Sequence, residues 1–185
     1  MGGDAFQNDT VNRGGQAGAE TVITLVGVGN RYRRDDAVGL IVSQQLKYKV
    51  PPGTRIVELD GDQSDLIELM RSTDVLIVVD AVKSTAPPGT VFRLDAVDDP
   101  LPREFMSSST HSIDTLTAVE LARALGALPE RLIIYGIVGR DFSFSEGLSE
   151  EVRDAIDAAE ERIIADIGTL REECSGHKKE NRPSR

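Results

Sequence analysis

Aspartates in this sequence follow the apolar segments that we predict to be β-strands, and clustered carboxylates can bind a cation or take part in acid–base catalysis. These residues are Asp35, Asp36, Asp60, Asp62, Asp80 and Asp141. In an open α/β sheet the carboxyl ends of parallel strands lie at one edge, and ligands bind there. Carboxylates gathered at one edge repel one another, so some of them must be protonated or paired with a cation. The sequence therefore predicts a negatively charged site at this edge.

The adjacent pair Asp35 and Asp36 opens a predicted helix. A carboxylate at that position caps free backbone N–H groups and interacts favourably with the helix dipole, for about 1 kcal/mol. Only one of the two can be the cap, so we assign capping to Asp35 and predict that Asp36 points toward the site. Asp80 directly follows five apolar residues, which is typical both of a catalytic carboxylate and of a turn aspartate bonded to backbone amides.

His111 is a candidate base or metal ligand, because the second histidine of the chain, His177, lies close to the C-terminus. His111 precedes a helix that we predict over residues 112–125. The positive end of a helix dipole disfavours further positive charge, so the imidazole stays neutral and able to accept a proton or ligate a metal. A loop histidine bonded to backbone is the alternative, and the nearby candidate acids favour the functional role.

The glycine-rich turn after the first predicted strand matches a nucleotide-binding motif poorly. Gly27 and Gly29 match the first two glycines of the dinucleotide fingerprint, but Tyr32 occupies the third position and the lysine of a P-loop is absent. We expect these glycines to let the chain turn sharply over the sheet edge, with Asn30 in a left-handed conformation. We expect solvated loop charges at Arg31, Arg33 and Arg34.

Apolar runs alternate with helical patterns over residues 21–170, which predicts one α/β domain. The predicted strands are 21–28, 55–59, 75–79, 90–94 and 131–138, and the predicted helices are 36–48, 64–71, 112–125 and 149–170. The segment 90–94 is expected to be an edge or antiparallel strand. The polar segment 1–20 is expected to be a disordered lead-in, and 171–185 a flexible tail.

Charge and cysteine content argue against several classes of function. The 185 residues include 21 Lys and Arg against 31 Asp and Glu, a formal charge of -10, which argues against a nucleic-acid or anionic-membrane partner. The single cysteine, Cys174, excludes a disulfide framework and a thiolate metal cluster and favours a cytoplasmic location. The sequence has neither an apolar run of membrane-spanning length nor a signal-peptide pattern.

Four segments together resemble one protein family in order and spacing. They are GVGNRYRRDDAVG (27–39), LDGD (59–62), VVDAV (78–82) and STHSIDTLTAVELARALG (109–126). The sequence resembles the hydrogenase maturation endopeptidases from about residue 21 to the terminal helix. The resemblance implies a three-layer α/β/α fold with a mostly parallel sheet of about five strands. It also implies an enzyme that removes a C-terminal peptide from the large-subunit precursor of nickel–iron hydrogenase after nickel insertion.

The resemblance assigns a metal site to Asp36, Asp80 and His111. Two carboxylates and an imidazole suit nickel or zinc and leave coordination positions open. The metal recognised is then the nickel of the precursor, so no intrinsic cofactor is expected, and zinc or cadmium can substitute in vitro. The attack on the peptide bond stays open: either aspartate activates water, or the metal polarises the carbonyl. The family motif D-G-G-T reads Asp60-Gly61-Asp62-Gln63 here, which leaves the role of that loop open.

Three other functions remain open. A hydrolase that binds its own zinc uses the same three residues, and a non-catalytic chaperone only senses the nickel. A serine hydrolase would use Ser107, Ser108 or Ser109 with His111 and an aspartate, although the sequence lacks a G-x-S-x-G nucleophile turn. The sequence does not determine the oligomeric state, and a monomer is among the possibilities.

Overall fold

The computed structural model describes residues 21–60, 64–98 and 115–180. Within these ranges the chain forms five strands, five α-helices and one 3-10 helix. The strands are β1 (Ile23–Gly29), β2 (Thr54–Asp60), β3 (Val75–Val82), β4 (Val91–Asp95) and β5 (Arg131–Val138). The helices are α1 (Val38–Leu46), α2 (Ser64–Ser72), α3 (Thr115–Ala124), α4 (Glu150–Asp154) and α5 (Ile156–Glu180), with the 3-10 helix Arg34–Ala37 before α1.

The strands form one sheet in the order β2-β1-β3-β5-β4. Strands β2, β1, β3 and β5 are parallel, and β4 pairs antiparallel with β5 at the edge. The predicted α/β fold and the antiparallel edge strand are therefore confirmed. Because β2 and β3 lie on opposite sides of β1, the chain changes direction there. The carboxyl ends of β1 and β3 form the switch point at which α/β proteins bind ligands.

Apolar side chains on both faces of the sheet produce the three layers. Successive residues of a strand point to opposite faces. Ile77 and Val79 pack in the cluster that includes buried residues of α1 and α5, whereas Leu76 and Val78 pack with α2 and α3. Strands covered on both faces read as continuous apolar runs, which is why β1, β3 and β5 were recognisable in the sequence.

Two glycines allow α1 to lie directly on the sheet. A Cβ atom at Gly39 would lie 2.3 Å from the carbonyl oxygens of both Val28 and Val79. A Cβ atom at Gly27 would lie 2.2 Å from the Gly39 carbonyl oxygen. The backbones of α1, β1 and β3 are thus in contact, and this contact holds the preceding 3-10 helix beside the strand ends.

The turn between β1 and the 3-10 helix differs in part from the prediction. Gly29 has φ 151°, and a Cβ atom there would lie 1.9 Å from the Asp36 carbonyl oxygen, so the turn requires glycine. The prediction of a left-handed Asn30 was wrong, since Arg34 (φ 49°) is the non-glycine residue with positive φ in the described part of the chain. Asn30 instead accepts a hydrogen bond from the Tyr32 N–H through Oδ1 at 2.9 Å, and this bond stabilises the turn locally.

The terminal helical segment divides at Ala155 into α4 and α5, and α5 continues to Glu180, past the predicted end at residue 170. Arg171 donates hydrogen bonds to the Pro52 carbonyl oxygen (2.5 Å) and to Thr54 Oγ1 (3.3 Å). These bonds join α5 to the start of β2. The predicted lead-in, residues 1–20, lies outside the described residues. No helix in the described ranges combines the length and the hydrophobicity needed to cross a bilayer.

We predict that Gly39→Ala lowers the free energy of unfolding by at least about 2 kcal/mol, because the added methyl group overlaps two backbone oxygens that are fixed in the sheet. Urea denaturation followed by circular dichroism measures the loss. Gly168 is the matched control, since it lies within α5 and a Cβ atom there meets nothing within 4 Å. Gly168→Ala should stabilise the chain by about 0.5–1 kcal/mol. Equal effects at the two positions would contradict the packing described for Gly39.

Candidate active site at the carboxyl ends of β1 and β3

The 3-10 helix places Asp35 and Asp36 at the switch point. It lies against β1 and β3, and the Asn30 N–H donates to the Asp36 carbonyl oxygen at 3.3 Å. The two carboxylates project from this short helix into different environments: Asp35 is buried, whereas Asp36 is partly exposed.

Asp35 is fully buried, with 0% of its surface exposed, and its carboxylate accepts four hydrogen bonds. Oδ2 accepts from the backbone N–H of Arg140 (2.8 Å), the backbone N–H of Asp141 (2.9 Å) and Ser149 Oγ (2.9 Å), and Oδ1 accepts from the Ser149 N–H (2.7 Å). Ser149 is the N-cap residue of α4. Asp35 thus joins the turn after β1 to the loop after β5.

The prediction that Asp35 caps its own helix was wrong. Neither the 3-10 helix nor α1 has a side-chain cap hydrogen bond. The buried carboxylate points across the sheet edge and binds backbone N–H groups of residues 140–149 instead. Asp35 does accept hydrogen bonds from backbone N–H groups, as a capping residue would. Those N–H groups, however, belong to a segment that is distant in sequence.

Backbone hydrogen bonds extend the same junction on both sides of Asp35. The Asp35 N–H donates to the Asp141 carbonyl (3.1 Å), the Arg34 N–H donates to the Ser145 carbonyl (2.8 Å), and the Ser145 N–H donates to the Tyr32 carbonyl (3.0 Å). We call residues 30–37 and 139–149 the two rim loops. They form one connected border around the ends of β1, β3 and β5.

Asp35 remains ionised at neutral pH. Burial raises the pKa of Asp35, but the hydrogen bonds from Ser149, Asp141 and Arg140 outweigh burial and leave the pKa below its ordinary value. A carboxylate of this kind does not exchange a proton near pH 7. Asp35 therefore holds the site together and is not a candidate acid or base.

Asp36 has the opposite electrostatic character. Burial raises the pKa of the half-buried Asp36 above its ordinary value, the charge of Asp60 adds to the increase, and the charges of Arg33 and Lys83 oppose it. Asp60 ends β2 and Lys83 directly follows β3, so the Asp36 carboxylate is within electrostatic range of both strand ends. A partly exposed carboxylate with a raised pKa is suited to accept a proton from water.

Asp80 lies inside β3, two residues before its end, and is 9% exposed. Its Oδ1 accepts the Ala81 N–H at 2.8 Å, and its Oδ2 accepts the Thr115 hydroxyl at 2.6 Å. Thr115 is the first residue of α3 and is itself buried. The two hydrogen bonds fix the orientation of the Asp80 carboxylate. The sequence analysis did not identify Thr115, although a hydroxyl residue at a helix start was a usable signal.

The remaining acids at this edge are balanced mostly by arginines. Arg31 forms an ion pair with Glu58 and lies 3.9 Å from Asp60, and Arg34 Nε lies 3.1 Å from Asp141 Oδ2. Arg31 and Arg34 remain partly exposed to solvent, as expected, but each also forms an ion pair with an acid of the chain. The predicted repulsion between carboxylates is relieved in part by cations of the chain itself, at Glu58, Asp60 and Asp141 through ion pairs and at Asp36 through the charges of Arg33 and Lys83.

His111 lies outside the described residues, as do Asp62, Ser107, Ser108 and Ser109. Within the described ranges, no three His, Cys, Asp or Glu side chains are grouped closely enough to hold a metal ion. A metal site that includes Asp36 and Asp80 consequently needs a further ligand from residues beyond those ranges or from the substrate. The predicted set of Asp36, Asp80 and His111 stays a prediction.

A three-layer α/β/α fold supports many functions, and comparison with known proteins identifies the family. The family model described as hydrogenase maturation protease matches residues 40–166. This chain belongs to the hydrogenase maturation protease family. It is a peptide-bond hydrolase, as the sequence resemblance predicted. The matched segment contains Asp80 and His111, whereas Asp36 lies just before it.

Individual relatives agree with this assignment. The chain is 30% identical over 148 residues to the hydrogenase expression/formation protein HupD of Thiocapsa roseopersicina, covering 77% of this chain and 66% of HupD. It is 28% identical over 147 residues to the hydrogenase 2 maturation protease of Escherichia coli K12, covering 77% and 88%. The solved structure of the hydrogenase maturating endopeptidase HybD from E. coli superposes with a TM-score of 0.65 and 28% identity, covering 81% of this chain and 94% of HybD.

We predict that Asp35→Asn lowers the free energy of unfolding at pH 7 by about 3 kcal/mol, because an amide nitrogen would face backbone N–H donors in a buried space. Ser149→Ala removes only the hydroxyl bond and should cost about 1 kcal/mol. Urea denaturation of the three proteins measures both losses.

The same comparison should depend on pH in a defined direction. The folded pKa of Asp35 is lowered, and the unfolded pKa of an aspartate is about 3.9. The stabilisation from ionised Asp35 is therefore fully present above about pH 4 and is lost as the pH falls through the lower folded pKa. The stability difference between wild type and Asp35→Asn should be constant from about pH 7 to 5 and shrink below about pH 4. A difference that grows on acidification would contradict the ionised state of Asp35.

Proposed function

We propose that this chain removes the C-terminal peptide from the nickel-loaded large-subunit precursor of a nickel–iron hydrogenase and recognises the inserted nickel. The observation that supports this most strongly is the position of two unlike carboxylates, Asp36 and Asp80, at the switch point of a hydrogenase maturation protease fold. The substrate follows from the family, and the site supplies the chemistry.

Asp80 is suited to bind the nickel. Both of its oxygens accept a hydrogen bond, from Ala81 and Thr115, and these bonds fix the direction of the carboxylate. A carboxylate oxygen is a hard donor of the kind that binds nickel or zinc together with imidazole nitrogen. We infer that His111 supplies a nitrogen ligand beside it. Thr115 carries the hydroxyl bonded to Asp80 and follows His111 by only four residues, which supports that inference.

Asp36 is suited to the proton-transfer step. Without nickel, burial raises the pKa of Asp36 above its ordinary value, and such a carboxylate is suited to accept a proton. We infer that Asp36 also faces the nickel, and that it accepts a proton from the water that attacks the scissile carbonyl. Binding the precursor's nickel would then place the peptide bond within reach of this base. The protease would discriminate loaded from unloaded precursor through Asp36, Asp80 and His111 together.

The proposal includes no resident cofactor, because the metal arrives with the substrate. The cytoplasmic location suggested by the single cysteine fits a protein that acts during assembly of its target. The acidic composition argues against a nucleic-acid or membrane partner. A protein precursor as substrate is compatible with it.

We predict that Asp36→Asn, Asp80→Asn and His111→Ala each reduce cleavage of nickel-loaded precursor by at least about 100-fold, through loss of a base or a metal ligand. The mass loss of the purified precursor on mixing with purified variant measures cleavage. Circular dichroism and urea denaturation establish that each variant is folded.

Asp74→Asn is the matched control for Asp80→Asn. Asp74 is exposed and directly precedes β3, so it lies at the amino ends of the parallel strands, away from the site. The Asp74→Asn variant should therefore cleave the precursor at the wild-type rate. A normal rate in Asp36→Asn would refute the assignment of the base. Equal cleavage of nickel-free precursor would refute nickel recognition, and stoichiometric zinc in protein purified without added metal would favour the independent metallohydrolase.

A further inference from the structure

Two large aromatic side chains are exposed on the rim loops. Tyr32 is 62% exposed and Phe144 is 81% exposed. A parallel bridge joins Arg33 to Ser145, and the Ser145 N–H donates to the Tyr32 carbonyl at 3.0 Å. In a parallel register this pairing sets Tyr32 alongside Phe144. The Arg33 guanidinium lies 5.3 Å from the centroid of the Phe144 ring. We call Tyr32, Arg33 and Phe144 the rim patch.

The backbone that carries the rim patch is fixed by buried interactions. Asp35 binds the two rim loops together through four hydrogen bonds, and Asp35 follows Tyr32 and Arg33 closely in the chain. Aromatic and arginine side chains supply most of the binding energy at protein interfaces. An exposed aromatic pair on a fixed backbone loses little conformational freedom on binding, which favours association further.

The rim patch adjoins the candidate active site. Tyr32 lies four residues before Asp36, and the charge of Arg33 acts on the Asp36 carboxylate. Lys83 acts on the same carboxylate and lies 5.1 Å above the Phe142 ring. Any polypeptide whose bond reaches Asp36 therefore passes close to this surface.

The positive charges of Arg33 and Lys83 indicate that a polypeptide bound here carries an acidic group. The chain has a net charge of -10, yet Arg33 and Lys83 form no ion pair with a carboxylate in the described ranges; the ion pairs found there use other cations. Both charges act on the Asp36 carboxylate without forming an ion pair, and because neither side chain is buried, a carboxylate of a ligand can still approach them. The surface is complementary to an apolar side chain next to an acidic group.

We propose that the rim patch is the docking surface for the precursor polypeptide. One apolar side chain of the precursor packs on Tyr32 and Phe144, and an acidic group nearby meets Arg33 and Lys83. This inference rests on the proposed function, because it takes the hydrogenase precursor as the ligand. It adds a binding surface outside the residues that perform the chemistry.

The test compares the double variant Tyr32→Ser/Phe144→Ser with Tyr48→Ser. Tyr48 is 87% exposed and follows α1, at the opposite edge of the sheet, so Tyr48→Ser removes a similar exposed ring away from the site. The Kd for the nickel-loaded precursor is measured by titration and the KM and kcat by mass loss. The double variant should raise Kd and KM by at least about tenfold and change kcat by less than about twofold. Tyr48→Ser should change none of the three.

The outcomes separate this inference from the proposed function. Normal Kd and KM in the double variant, with wild-type cleavage intact, would overturn the docking surface alone. Binding that depends on Tyr32 and Phe144, without cleavage by wild type, would support the docking surface and overturn the proposed function. Absence of binding by wild type would overturn both. A wild-type dimer that dissociates in the double variant, with unchanged KM, would assign the patch to a second copy of this chain.

Discussion

The buried carboxylate of Asp35 is the interaction on which the geometry of the site depends. Burying a charge is costly unless hydrogen bonds replace the lost water. Here three backbone N–H groups and the Ser149 hydroxyl supply that replacement. Because Asp35 and Asp36 are adjacent in a short 3-10 helix, fixing one carboxylate restricts the backbone that carries the other. Asp35, whose pKa is lowered, joins the two rim loops, and Asp36, whose pKa is raised, is the one proposed to take part in the reaction.

Close backbone packing provides the second constraint. Gly27 and Gly39 let the backbone of α1 contact the backbones of β1 and β3. The 3-10 helix before α1 therefore packs directly against the strand ends, without a side chain in between. Asp80 belongs to β3 itself and is oriented from the far side by Thr115 of α3. The two candidate carboxylates are therefore positioned from opposite layers of the fold.

Much of this arrangement could be predicted from the sequence because it depends on local patterns. Continuous apolar runs identified β3 and β5, and the rule for parallel sheets placed Asp36 and Asp80 at one edge. The partner of Asp35 could not be predicted in this way, since Ser149 is 114 residues away and no spacing encodes that contact. The positive φ of Arg34 accompanies another such distant contact, the hydrogen bond from its N–H to the Ser145 carbonyl. The position of His111 remains a prediction.

The separation of 114 residues between Asp35 and Ser149 has a consequence for how the molecule assembles. Contacts between distant parts of a chain form late, because the loop-closure entropy must be overcome after more local structure is in place. During synthesis the β1 turn emerges long before Ser149, and until then its buried carboxylate lacks all three of its partner residues. The β1–β2 and β1–β3 pairings involve much shorter separations. The sheet is thus expected to form before the rim closes, and the protease gains an ordered site only once nearly the whole domain has been made.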